Sequence, residues 1–200
     1  MLITFEGGEG TGKSTQVRLL AERLRGQGTD VVLTREPGGT PEAEAIRTIL
    51  VNGNPESLSS EAEALLNYAA RDLHLRHLIR PALDAGKTVI CDRFMDSTRA
   101  YQSYAGGAKA NFIDALEEAI VAKTVPNLTL IFDLDPKLGL ERAKSRGGED
   151  RFERKGLAFH QKLRSGFLTI AAKNPKRCKV IDASQSVEAV AQSVWQAVHG

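Results

Sequence analysis

Three observations predict an α/β fold built on a central parallel sheet. Short apolar runs alternate along the chain with longer segments of helical period. Most of the runs are continuously apolar, the pattern of parallel strands buried on both faces. A glycine-rich turn also joins the first run directly to the first helical segment.

The elements follow in order. Leu2 to Phe5 reads as the first strand. In the helical segment after it, Val17, Leu20, Ala21 and Leu24 recur at i, i+3, i+4 and i+7, one apolar face, and Gly26 and Gly28 supply the stop. Val31 to Thr34 is the second strand and 41–50 the next helix. A helical pattern over 61–85 leads to the strand Thr88 to Cys91, and one over 109–122 leads to Leu128 to Phe132. Patterns over 136–145 and 155–173 precede the last strand, Lys179 to Ile181, and 186–198 closes the chain. Between them lie loop-like stretches at Glu36–Thr40, Val51–Ser60, Ala105–Lys109 and Arg146–Glu153. All are short enough for one domain over 1–200, and 200 residues suffice for a sizeable core.

Charge narrows the partners. The net charge of +2 is too small to argue for nucleic acid, but between Lys137 and Lys179 there are 13 Lys or Arg against 4 Asp or Glu. Such a segment favours an anionic partner, although solvated helix faces account for part of it. Cys91 and Cys178 lie in or beside apolar runs and are expected as buried free thiols. No run approaches the roughly 18 apolar residues of a membrane span. The N-terminus lacks a signal-peptide pattern, so the expected address is the cytoplasm.

The run Gly7-Gly8-Glu9-Gly10-Thr11-Gly12-Lys13-Ser14 fits G-x-x-x-x-G-K-[ST], between a predicted strand and a predicted helix. Its glycines let backbone N–H groups converge on phosphate oxygens at a helix N-terminus. Lys13 would neutralise the β- and γ-phosphates of ATP, and the Ser14 hydroxyl would ligate Mg²⁺. Thr15, in the first helical turn, is counted with them as nucleotide-binding. The bland alternative is a tight turn with a chance Lys-Ser, which the strand-to-helix context disfavours.

A second polar set suggests another phosphorylated ligand. Asp92-Arg93 ends the third strand on the ligand side of such a sheet, where Arg93 can reach a phosphate. Asp92 could hold Mg²⁺ through water or orient Arg93; a surface ion pair is the plain alternative. Thr98, Tyr101 and Gln102 share a helical face and suit a nucleoside, although such an isolated triplet is by default a solvent face. In Thr34-Arg35-Glu36-Pro37-Gly38-Gly39-Thr40 a turn explains the glycines but not Arg35 and Glu36 at the ligand-side strand end. Arg47 could point back toward the same cleft, or be an exposed helix arginine. From Arg142 to Glu153, arginines flank a glycine-containing loop, which could be a lid over the transferring group or an exposed charged loop.

Together these segments, with Tyr68-Ala69-Ala70-Arg71 and Ile181-Asp182-Ala183, resemble thymidylate kinase over nearly the whole chain, in its bacterial form with basic lid residues. The resemblance implies a P-loop, nucleoside-monophosphate-kinase-like fold with a five-stranded parallel sheet and helices on both faces. It implies transfer of the ATP γ-phosphate to dTMP with Mg²⁺, and a homodimer. By position, Glu9 would lie beside the acceptor sugar and Arg93, helped by Arg47, would hold the dTMP phosphate. Arg71 would bond the thymine ring, Thr98 and Gln102 would complete the base pocket, and Tyr101 would crowd the 2′ position. The phosphate loop has no arginine between Gly7 and Gly12, so Arg151 becomes the catalytic lid candidate, with Arg146 stacking on adenine and the lid at about 146–153. Two positions depart from the family pattern. Asn67 stands where Phe commonly stacks on thymine, so either another ring such as Tyr68 substitutes or stacking is weaker. Phe94 follows Asp-Arg where Tyr or His is frequent.

Other readings remain distinguishable. A kinase for dUMP or a purine monophosphate would share these motifs. A regulatory GTPase would carry Asn-Lys-x-Asp and Asp-x-x-Gly, and neither is found. A nucleic-acid-binding module would show steeply salt-dependent affinity, which is not expected here.

Overall fold

The computed structural model describes residues 1–52, 57–145, 151–152 and 154–200. Five strands form one parallel sheet: β1 (Leu2–Gly7), β2 (Val31–Arg35), β3 (Thr88–Asp92), β4 (Leu128–Asp133) and β5 (Cys178–Asp182), in the order β2-β3-β1-β4-β5. The central strand β1 pairs Phe5 with Asp92 on one side and with Leu130 on the other. The strand order reverses direction on either side of β1. The crevice beyond its carboxyl end is therefore where ligands bind in such sheets.

All six residues of β1 are buried. Ile3 and Phe5 face a core with Val17, Leu20, Ala21 and Leu24 of α1 (Lys13–Gly26) and Val190 and Val194 of α9 (Val187–His199). On the other face, Leu2, Val89 and Cys91 pack against Tyr68, Leu75 and Ile79. Ile131 meets Leu163, Phe167 and Ile170 of α8 (Leu157–Lys173). Helices on both faces explain why the strands are continuously apolar. Cys91 and Cys178 are buried free thiols, as expected.

The remaining helices are α2 (Pro41–Asn52), α3 (Ser60–His74), α4 (Arg80–Asp84), α5 (Met95–Thr98), α6 (Ala110–Leu116) and α7 (Pro136–Lys144). The predicted helix over 61–85 is α3 and α4 joined by a π-helical turn, Leu75–Ile79. The pattern over 109–122 likewise ends in a π-helical turn, Glu117–Val121. One helical stretch was not delimited by periodicity, α5 with the π-helical turn Arg99–Ala105 that continues it. Its face is polar and buried, so it carries no amphipathic stripe to read. No helix among the described residues is long and apolar enough to cross a membrane.

Candidate active site

A cleft of about 240 Å³ opens at the carboxyl ends of β1, β2 and β3. Its floor is the phosphate loop, Glu9 to Ser14. Its walls come from the β2–α2 connection, α2, α3, the end of β3, and α5 with its π-helical extension.

The loop's shape is set by close backbone approach. Gly10 has φ 67°, and a Cβ there would lie 1.9 Å from the carbonyl oxygen of Gly139. Conversely, a Cβ on Gly139 would lie 2.5 Å from the Glu9 carbonyl oxygen, so two glycines distant in sequence seat the loop on α7. Nothing local to Gly139 announces this role. Gly7, at φ 136°, closes β1 against Phe132, and Gly12, at φ 84°, precedes α1. Gly8 joins the two through its carbonyl: Lys13 Nζ donates to it at 2.7 Å, and to the Gly7 carbonyl and Thr11 Oγ1 at 3.1 Å each. Burial and the neighbouring Arg93 lower the Lys13 pKa to about 8. Thr15 is half-buried in the first turn of α1 and donates its backbone N–H to Gly12.

Ser14 Oγ donates to Asp92 Oδ2 at 2.7 Å. Two hard oxygen donors thus meet beside the phosphate loop, a set that fits Mg²⁺, which takes few protein ligands and completes its shell with phosphates and water.

Arg93 adopts φ 69°, a conformation that costs a non-glycine residue about 1–2 kcal/mol. Several bonds hold it there. Its own N–H donates to the Phe5 carbonyl at 2.9 Å, and the next N–H, of Phe94, donates to Glu6 Oε1 at 2.8 Å. Its guanidinium donates to Glu9 Oε1 at 2.7 Å and to the Gly7 carbonyl at 2.9 Å. Tyr101 OH donates to the same Glu9 oxygen. Burial alone would raise the Glu9 pKa, but Arg93, Lys13 and Tyr101 together hold it at about 2.

Beneath Arg93 lies a polar network that the sequence reading missed. Glu6 is fully buried and accepts from Ser97 as well as Phe94. Burial, and then the nearby Asp96, push its pKa up to about 7. Asp96 is held by both terminal nitrogens of Arg177, at 2.6 and 2.8 Å.

The opposite wall is a buried ionic cluster. Glu36 accepts from Arg71 Nε at 2.7 Å, and its other oxygen lies 2.9 Å from His74 Nδ1. Arg71 Nη2 donates to Thr98 Oγ1 at 3.0 Å, whereas Arg71 Nη1 is buried with no hydrogen-bond partner among the described residues. Thr98, Tyr101 and Gln102 are buried and line the cleft, so the default solvent-face reading of this triplet does not hold. Arg47 also lines the cleft and donates to the Pro37 carbonyl at 2.9 Å.

Three expectations need correction or fall outside. Arg151 is not at the cleft; its guanidinium is wholly buried and paired with Glu63 of α3, while its neighbour Phe152 lines the cleft. Tyr68 does not replace the missing stacking ring. It is in the core, with the Arg71 guanidinium 4.5 Å from its ring centroid, and Asn67 is the residue on the wall. Arg146, and most of the lid at 146–153, lie outside the described residues.

The sequence model of the thymidylate kinase family matches residues 5–194. Thymidylate kinase of Caulobacter vibrioides is 57% identical over 196 residues, covering 98% of this chain and 94% of that protein. Thymidylate kinase of Afipia carboxidovorans is 52% identical over 197 residues, covering 97% and 86%. The fold also matches a crystal structure of thymidylate kinase from Ehrlichia chaffeensis with a TM-score of 0.82 at 38% identity, covering 100% of this chain and 98% of that one.

Proposed function

The chain belongs to the thymidylate kinase family, and from that premise we propose how its cleft divides between two nucleotides. The enzyme transfers the γ-phosphoryl group of ATP to dTMP, giving dTDP. In our reading the donor phosphates lie along Gly7 to Thr15, with Lys13 beside the transferring group. The acceptor phosphate meets Arg93 and Arg47, its sugar lies by Glu9 and Tyr101, and its base lies against Arg71, Thr98 and Gln102. Ser14 and Asp92 would hold Mg²⁺, which supplies charge neutralisation at the phosphate oxygens.

The observation that carries the acceptor assignment is Arg71 Nη1. A buried guanidinium nitrogen with no partner is costly unless a ligand supplies an acceptor. A base carbonyl such as that of thymine is suitable, and Glu36 and Thr98 fix the fork that would present the donor.

The chemistry needs no covalent intermediate. Direct in-line transfer relies on positioning and on cations around the reacting oxygens. Glu9 held at about 2 is ionised throughout the physiological range, so it orients Arg93 and accepts hydrogen bonds rather than donating a proton. We further read the enzyme as a cytoplasmic homodimer acting on small molecules, with neither nucleic acid nor membrane as partner.

An ADP-release assay across dTMP, dUMP, dCMP and dGMP tests the acceptor. A clear preference for dTMP is expected, and preference for another monophosphate would refute the base assignment. Arg71→Met should raise KM for dTMP about tenfold or more while leaving KM for ATP unchanged.

A further inference from the structure

Glu63 is buried in the first turn of α3, and three side chains converge on it. Its Oε2 accepts from Gln102 Nε2 at 2.8 Å. Its Oε1 accepts from Arg151 Nη2, and Lys155 Nζ lies 3.4 Å from the same oxygen. Arg151 is tied on further sides: Nη1 donates to the Leu50 carbonyl and its backbone N–H to the Val51 carbonyl, at 3.3 Å each. Leu50, Val51 and Gln102 all line the cleft. One carboxylate therefore joins the end of α2, the start of α3, the π-helical turn bearing Gln102, and the segment at Arg151.

We infer that Glu63 is a positioning residue for the phosphoryl acceptor, setting Gln102 in the cleft wall and using Arg151 as its buried counter-ion. On this assignment Arg151 acts through Glu63 and not on the transferring phosphoryl group. The physical reason is exclusivity. A buried carboxylate needs its cation, and the buried Arg151 guanidinium gives Nη2 to Glu63 and Nη1 to the Leu50 carbonyl, which directs both terminal nitrogens away from the transferring group. Gln102 has one amide nitrogen, and Glu63 decides where that amide stands. A displacement of about 1 Å at such a wall is enough to cost up to 10²-fold in reaction.

The inference rests on the reading that Gln102 faces the acceptor, so wild-type turnover across monophosphates is measured first. Preference for a nucleotide other than dTMP overturns the base assignment, and the variants are then compared on the preferred nucleotide. Glu63→Gln, Arg151→Met and the double variant are then assayed for KM and kcat with each substrate, alongside Tm. Each single variant should raise KM for the acceptor about tenfold, with kcat within about threefold and KM for ATP unchanged. The double variant should be no worse than the worse single one, because both remove the same contact. If Arg151→Met leaves Glu63 uncompensated and does not fold, the double variant buries no charge at this pair and Glu63→Gln keeps the side chain's size; these two decide the question. A fall in kcat of about 100-fold in Arg151→Met with acceptor KM unchanged would return Arg151 to the transferring phosphoryl group. Multiplying effects in the double variant overturn the coupling. A lowered Tm with both KM values unchanged would mean that the cluster is only structural.

Discussion

The two sides of the cleft are built in different ways. The phosphate-loop side is one contiguous run from Gly7 to Ser14, and its polar contacts are mostly to its own backbone, as Lys13 shows. The Arg71 side is assembled from Glu36, Arg71, His74 and Thr98, with Gln102 beside them on the wall and Glu63 behind it. The first is shaped by what backbone conformations glycine allows. The second is shaped by the need of buried charges for partners. It follows that damage to the loop side should appear as lost rate with little change in stability, and damage to the other side as lost stability together with weaker acceptor binding.

The largest effect should be on stability, at Glu36. Glu36→Leu leaves Arg71 buried without its anion, and unfolding free energy should fall by about 3–5 kcal/mol, read from the urea midpoint. Lys13→Ala is the contrasting case. Its kcat should fall about 10²–10³-fold. The urea midpoint should stay the same or rise, because a desolvated cation has been removed. A large stability loss in Lys13→Ala, or none in Glu36→Leu, would break the comparison.

The pH dependence sharpens it. The Glu6 pKa is raised from 4.5 to about 7, so the unfolded chain releases its proton first. The stabilisation from this group is complete below pH 4.5 and is lost as pH rises to about 7. Glu9 is lowered to about 2, so its contribution is present above pH 4.5 and is lost as pH falls toward 2. Two carboxylates three residues apart thus have opposite signs. Glu6→Gln should flatten the decline between pH 4.5 and 7, and a slope unchanged from wild type would assign it to another group. The smallest effect is expected at the rim, where Arg35 and Glu44 form an exposed pair at 3.1 Å. Arg35→Ala should change stability by about 0–1 kcal/mol.

Asp92 and Arg93 could be placed from sequence because a strand's carboxyl end has a fixed relation to the ligand side of a parallel sheet. Helical spacing placed Thr98, Tyr101 and Gln102 on one face suited to a nucleoside, but only the family resemblance favoured that reading over a solvent face. A buried polar helix face has no hydrophobic period, and by itself it reads as solvent-facing. Glu63, Asp96 and Arg177 carried no signal, since their side-chain partners lie 33 to 92 residues away, at Gln102, Thr129, Arg151, Lys155 and elsewhere.

By itself, the sequence determined the α/β class, the five strands, the phosphate loop and the catalytic family. Each depends on local pattern: apolar runs, glycine spacing, and motif order. Only the tertiary structure decided that Arg151 pairs with Glu63 beneath the cleft, that Tyr68 lies in the core rather than on the wall, and that Gly139 seats the loop. Those outcomes depend on which distant groups satisfy a buried charge or allow a close backbone approach. Folding brings those groups together, and no spacing along the chain encodes them.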